Sequence, residues 1–249
     1  MKAHFPRQVN YYEIDPEYKL KLGYFFKLIQ ESAIYHSDSV GLGSKGIRKS
    51  GFAWFLNKIG IEIYRYPEYK EKIEIVTWFR EAKRFKSYRD YEIFSGKEKI
   101  AEASSIWIYF DINSNRISTI PDKVSETYTL EKELKAGPDL DKWNVNWNFE
   151  TDKNIDIYTR MSDYDPNNHV NSAAYIDYLE TLIPKLDSNN ARAKSVIIQY
   201  KKEIDRNIES VKVGSKYSDD HYLFKISDNA NLYAYGDIQL ENNKFFKGG

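Results

Sequence analysis

The stretch that decides the reading is RMSDYDPNNHVNSAAYIDYLE, residues 160 to 180. Its second half opens a helical rhythm: Tyr175, Ile176, Leu179, Leu182 and Ile183 return at the spacing of one helix face, and Pro184 signals the approaching end. Its first half crowds Asp165, Pro166, Asn167, Asn168, His169 and Asn171 together. Asp-Pro starts a turn, and Asn or Asp caps a helix by accepting backbone N–H bonds, which explains such a cluster without any chemistry. A site needs more: an acid or base, an orienting group and a donor within one small volume. Asp165, Asn167 and His169 alternate in sequence, so an extended junction would point all three to one side.

Working outward, a strand-like run, NIDIYTRMS at 154–162, leads into the cluster. After the helix come AKSVIIQYKKEI (193–204), IESVKVGSKY (208–217), HYLFKI (221–226) and NLYAYGDIQL (231–240), with SDNA as the last turn. The same order occurs earlier. An extended segment at 4–14 precedes a helical pattern of Leu22, Phe25, Phe26, Ile29 and Ala33, which ends in the glycine-broken DSVGLGSKG. Four runs rich in Ile, Tyr, Trp and Phe follow at 52–66, 72–81, 86–94 and 100–112. The repeat, roughly 100 to 130 residues long, is too long for a solenoid unit. We expect an α+β chain of two similar domains, 1–128 and 151–249. The charged, Gly-Pro-containing stretch at 129–150 reads as a linker. One long apolar helix per antiparallel sheet suggests a helix held in the sheet's concave face.

Composition narrows the function. Across 249 residues, 37 basic side chains balance 37 acidic ones, so no global field favours nucleic acid. Hydrophobic residues at 41% and charged residues at 30% match an ordinary soluble globular protein. The 21 tyrosines lean toward β-rich structure or an aromatic-lined cavity. With no cysteine, a disulfide, a thiolate metal site and a Cys nucleophile are all impossible. The opening MKAHFPRQVN has no apolar targeting core and no run reaches membrane-spanning length, so a cytoplasmic protein without a membrane partner is expected. His4, His36 and His221 read as structural or solvated. No spacing suggests a metal site, and GLGSKG reads as a helix exit rather than a phosphate loop, so no metal or cofactor is expected.

Three segments carry a resemblance. SDYDPNNHVNSAAYI resembles the D-x-N-x-H-V-N signature of acyl-acyl carrier protein thioesterases, the plant-type enzymes and their bacterial relatives. IYRYPEYKEKIEIVTWF, at 63–79, looks like that family's R-Y-P…T-W segment, and IIQYKKEI, at 197–204, looks like its L-x-Y-R-R-E-C segment. The resemblance implies a tandem (double) hotdog fold and hydrolysis of the thioester joining a fatty acyl chain to acyl carrier protein. It places the family's catalytic Asp, Asn, His and Glu on Asp165, Asn167, His169 and Glu203. The Cys that follows this Glu in plant members is Ile204 here, so a Cys-His-Asn mechanism cannot apply.

The resemblance also frames the mechanism. His169 and Asn167 are expected to polarise the carbonyl while Glu203, helped by Asp165, activates water. The carrier is acidic, so two basic runs are candidate docking patches: Arg80, Lys83, Arg84, Lys86 and Arg89, or Lys201, Lys202 and Arg206. Aligning the two helices at Phe26 and Tyr175 sets Leu20 opposite His169 and Tyr18 opposite Asn167, which would give the first domain the acyl pocket and the second the chemistry. Alternatives are an acyl-CoA thioesterase or a dehydratase on the same fold, and a non-catalytic acyl-binding module. Monomer and homodimer both remain open.

Overall fold

Branched and aromatic side chains fit a pleated, half-buried surface, and the Ile-, Val-, Tyr- and Trp-rich runs form long strands for that reason. The computed structural model describes residues 1–186 and 191–241. In chain order it holds β1 (Lys2–Gln8), α1 (Leu22–Ser39), α2 (Ser44–Lys49), β2 (Phe52–Ile63), β3 (Lys72–Lys83), β4 (Lys86–Ser95), β5 (Glu98–Asp111), the short β6 (Arg116–Ile117) and α3 (Asp122–Tyr128). Then come β7 (Lys153–Tyr158), α4 (Ala174–Leu186), β8 (Ala193–Tyr200), β9 (Ser210–Ser218), β10 (His221–Ser227) and β11 (Leu232–Leu240).

The chain divides into two units, Met1–Trp143 and a second beginning at Asn144. In the first, the strands run antiparallel in the order β1-β3-β4-β5-β2, with β6 on β5. In the second, the order β7-β9-β10-β11-β8 is the same arrangement, first strand beside third and second strand beside fifth. Each unit places its long helix between its first and second strands. Helix α1 buries Leu22, Phe25, Phe26, Leu28, Ile29 and Ala33 and packs on β3 and β1. Helix α4 buries Tyr175, Ile176, Tyr178, Leu179, Leu182 and Ile183 and packs on β7 and β9. Among the described residues no helix is long and apolar enough to cross a membrane.

Both extended segments expected to lead into the helices end early. β1 stops at Gln8 and β7 at Tyr158, and a single 3-10 turn follows each, Tyr11–Glu13 and Met161–Asp163. The sequence pattern also gave no sign of α3.

Residues 129–143 pack against the first unit. Trp78 Nε1 donates to the Leu134 carbonyl at 3.2 Å, Ser104 Oγ to Pro138 at 2.6 Å, and Lys58 Nζ to Leu140 and Trp143 at 3.1 and 3.3 Å. Gly137 has φ +69°, and a Cβ there would stand 2.4 Å from the Ala103 carbonyl carbon, so only glycine lets the chain lie this close. With α1 over one face and this segment over the other, β4 is buried on both, from Ser87 through Tyr91.

That double cover takes two residues out of one expected docking patch. Arg89 is 4% exposed; its Nη1 meets His36 Nδ1 at 2.8 Å and donates to Thr77 Oγ1 at 3.3 Å. Arg80 Nε pairs with the buried Asp90 at 2.9 Å, and the Ala136 N–H donates to the same Asp90 oxygen at 3.2 Å. Burial pushes the Asp90 carboxyl up to about 6, against the pull of Arg80. Two of the five basic residues are thus core or near-core groups. His36 is buried with them, and its imidazole is held down at about 3 by burial and the neighbouring Arg89 charge.

Candidate active site

The polar cluster is a tight loop between the Met161–Asp163 turn and α4. Asp163 anchors its entrance. This buried carboxylate accepts the Arg160 backbone N–H at 2.9 Å and the Tyr178 hydroxyl at 2.7 Å, and those donors, with the Arg160 guanidinium, hold its pKa low against the burial that would raise it. The loop then closes on itself: Asp165 N–H donates to the His169 carbonyl at 2.9 Å and Asn168 N–H to the Asp165 carbonyl at 3.0 Å. Asn168 takes φ 64°, a left-handed conformation that asparagine tolerates better than most residues.

The Asp165 carboxylate faces inward to this turn. Its Oδ1 accepts the Asn167 N–H at 2.7 Å and the His169 N–H at 3.4 Å, and its Oδ2 accepts Asn167 Nδ2 at 3.1 Å. A carboxylate offers only acceptors, so the Asn167 amide must turn its NH₂ toward it. The Asn167 carbonyl and second N–H are left for the exposed side of the loop.

Two carboxylates flank the His169 ring. Glu203 Oε2 lies 3.3 Å from Nδ1 and Asp205 Oδ1 lies 3.2 Å from Nε2. Nδ1 is shut off from solvent yet makes no well-directed hydrogen bond, so its approach to Glu203 is a close contact rather than a formed bond. Both acids lie on the connection after β8. The Val170 N–H donates to the Ile204 carbonyl at 3.0 Å, and His169 bridges Asp205 through the backbone. The Glu203 carboxyl is raised above its ordinary value, chiefly by burial and further by the charges of Asp165 and Asp205, while His169 opposes the rise. A carboxylate tuned upward beside an imidazole and a fixed amide can take a proton from water while donors meet a developing oxyanion.

The structure brings Asp165, Asn167 and His169 into one loop and sets Glu203 against it. Asp205 is the member that sequence reasoning missed. It is two residues past Glu203 and approaches the same ring, with the buried Ile204 between the two acids, and that alternation is the signal that could have found it.

The first unit holds the same loop with different side chains. Its 3-10 turn is Tyr11–Glu13, Asp15 N–H donates to the Lys19 carbonyl at 2.8 Å, Tyr18 takes φ 62°, and Leu20 N–H donates to Pro67. Lys19 bridges Glu68 as His169 bridges Asp205. Asp15 therefore stands opposite Asp165, Glu17 opposite Asn167, Lys19 opposite His169 and Tyr66 opposite Glu203. This corrects the alignment drawn from the helices by one residue: His169 faces Lys19, not Leu20. The first loop is not apolar; it carries an ion pair, Lys19 Nζ to Glu68 at 3.7 Å, and lacks the His, the Asn and the Glu. Asp15 Oδ1 accepts the Glu17 and Lys19 N–H groups at 2.9 and 3.1 Å, so holding the turn is what this aspartate does in both copies.

Residues 3–128 match the family model described as Acyl-ACP thioesterase N-terminal domain, and residues 147–244 the one described as Acyl-ACP thioesterase C-terminal domain. The chloroplastic oleoyl-acyl carrier protein thioesterase of Coriandrum sativum is 28% identical over 192 residues, which cover 71% of this chain and 52% of that protein. The chain spans about half the length of the curated relatives it matches. The crystal structure of an acyl-ACP thioesterase from Bacteroides thetaiotaomicron superposes with a TM-score of 0.83 at 17% identity, over 96% of this chain and 98% of that one. The 12:0-ACP thioesterase from Umbellularia californica gives 0.83 at 18%, over 96% and 97%. With the antiparallel strands and few helices, these likenesses fit a hotdog-type fold. The two family matches together cover most of the sequence, and the chain belongs to the acyl-ACP thioesterase family.

Proposed function

We propose that this protein hydrolyses the thioester of fatty acyl-acyl carrier protein, releasing a free fatty acid and the carrier's thiol. Family membership supports the substrate class, and relatives named as acyl carrier protein thioesterases support the reaction. One observation carries the chemistry: His169 lies 3.3 Å from Glu203, on a loop whose twin in the first unit carries Lys19 and Tyr66 instead. The same loop is built twice, and only one copy bears an acid–base set.

In this reading Glu203 is the general base. Asp165 has both oxygens occupied by the turn and by Asn167, so it orients rather than abstracts. Asn167 and His169 meet the carbonyl oxygen as charge develops there. A thiolate leaves easily, so an activated water and donors to the oxyanion suffice. Ile204, buried where plant members carry cysteine, takes no part. The finer fold is a tandem hotdog, each sheet embracing its long helix. The second unit carries the chemistry, and the first, whose matching loop lacks the set, is assigned to binding the acyl chain.

The test is to incubate the purified protein with matched acyl thioesters of acyl carrier protein and of coenzyme A, and to follow thiol release. Faster release from the carrier substrate is expected. Preference for the coenzyme A thioester would make it an acyl-CoA thioesterase, and no release from either would leave a binding module.

A further inference from the structure

Glu203 sits on an irregular connection between β8 and β9. The Tyr175 hydroxyl fixes that connection. It accepts the Ile204 N–H at 3.2 Å and donates to the Lys202 carbonyl at 3.4 Å, so it bonds to the residue on each side of Glu203. Tyr175 is itself well held. Its ring is 2% exposed, the Tyr200 ring packs edge-on at 5.2 Å, and the Tyr200 hydroxyl donates to the Ser172 carbonyl at 2.8 Å, just before α4. Burial drives the Tyr175 pKa up, so the hydroxyl keeps the proton it donates.

The first unit shows what the position looks like without an acid to place. Phe25 stands where Tyr175 does, Tyr66 where Glu203 does, and Pro67 where Ile204 does. Phe25 packs edge-on against the buried Tyr66 at 5.3 Å, and Pro67 has no N–H to satisfy. The hydroxyl occurs in the copy that has the carboxylate. A buried Ile204 N–H needs an acceptor for stability alone, which accounts for one of the two bonds. The second bond, to Lys202, closes the pair around Glu203.

We infer that Tyr175 is a positioning residue for the Glu203 carboxylate, holding the main chain on both sides of it so that the acid keeps its place against His169. The inference rests on the thioesterase reading with Glu203 as base. Small misplacements of a reacting group carry large rate effects, on the order of 10²-fold for an ångström.

The test compares Tyr175→Phe, Glu203→Gln and the double variant. Phenylalanine is what the first unit carries here, so the fold accommodates the ring. Tyr175→Phe should lower kcat roughly 10- to 100-fold with KM little changed. In the Glu203→Gln background the same change should cost nothing further, because a clamp has no effect once its acid is gone. If Tyr175→Phe turns over like the unaltered protein while Glu203→Gln is crippled, this inference alone is overturned. Losses that multiply independently also overturn it and leave Tyr175 a structural residue. If Glu203→Gln keeps full activity, the base assignment falls and this inference falls with it. Amide exchange at Ile204 reads the clamp without turnover: it should quicken in Tyr175→Phe, and unchanged protection would mean there is no clamp.

Discussion

His169 Nε2 lies 3.2 Å from Asp205 Oδ1, and the two residues are also joined by a backbone bridge. The Asp205 carboxylate flanks Nε2 while Glu203 flanks Nδ1, so Asp205 helps to hold the ring in place beside the base. Asp205→Asn should therefore lower kcat several-fold without raising KM. Asp205 is exposed and His169 partly so, and exposed pairs contribute about 0–1 kcal/mol, so melting should barely move. Kinetics and melting on one preparation decide it; full activity in Asp205→Asn would reduce the contact to a surface ion pair, like Lys19 with Glu68.

The pH dependence follows from Glu203. Burial, Asp165 and Asp205 raise its carboxyl, His169 opposes them, and the base must be ionised to act. Activity should rise with pH through an apparent pKa above the usual carboxylate range. Asp205→Asn removes one of the raising charges, so its acid limb should move to lower pH. A limb that stays put, or moves up, contradicts the assignment.

The two aspartates that hold the two loops give an internal control. Asp15→Ala frees the N–H groups of Glu17 and Lys19 and should cost roughly 0.5–2 kcal/mol, the usual range for losing such a cap. Turnover should be spared. Asp165→Ala should cost stability in the same range and lower kcat as well, because Asn167 loses its anchor. Equal kinetic effects in both variants would mean that the second loop has no special chemistry.

The basic patch beside Glu203 can be tested by charge reversal. Lys201 and Arg206 are exposed on either side of Glu203, whereas Arg80 and Arg89 are tied into the first unit's interior. Lys201→Glu with Arg206→Glu should raise KM for the carrier substrate several-fold and leave hydrolysis of a short pantetheine thioester alone. A parallel loss on both substrates would show that these residues support the site rather than dock the carrier.

Much of this was legible in the sequence because the two loops and helices repeat in order. The strands announced themselves through Ile, Tyr and Trp, and the site loop through Asp165-Pro166 and His169. The one-residue slip between the copies came from relying on the helices. Phe25 and Phe26 are both apolar, so either can be set against Tyr175, whereas Asp15-Pro16 against Asp165-Pro166 fixes the register at once. Arg80 reads as a surface charge because nothing in its own strand shows that residues 129–143 tie down its partner Asp90, and Arg89 because nothing in its strand shows that His36 of α1 lies over it. Asp205 stayed hidden because its partner, His169, is distant in sequence and meets it through a backbone bridge.

Glu203→Gln is the sharpest test of Glu203 as the base that activates water for thioester hydrolysis. A carboxyl whose pKa is raised on folding holds its proton more tightly in the native state, so its contribution to stability is lost as pH rises through that window. In the ionised form that acts as a base, Glu203 is no support to the fold, and its amide should melt no lower. With acyl carrier protein thioester as substrate, turnover of Glu203→Gln should fall roughly 10²- to 10⁴-fold at unchanged melting temperature. Turnover within a few-fold of the unaltered protein, or a loss that tracks unfolding, would contradict it.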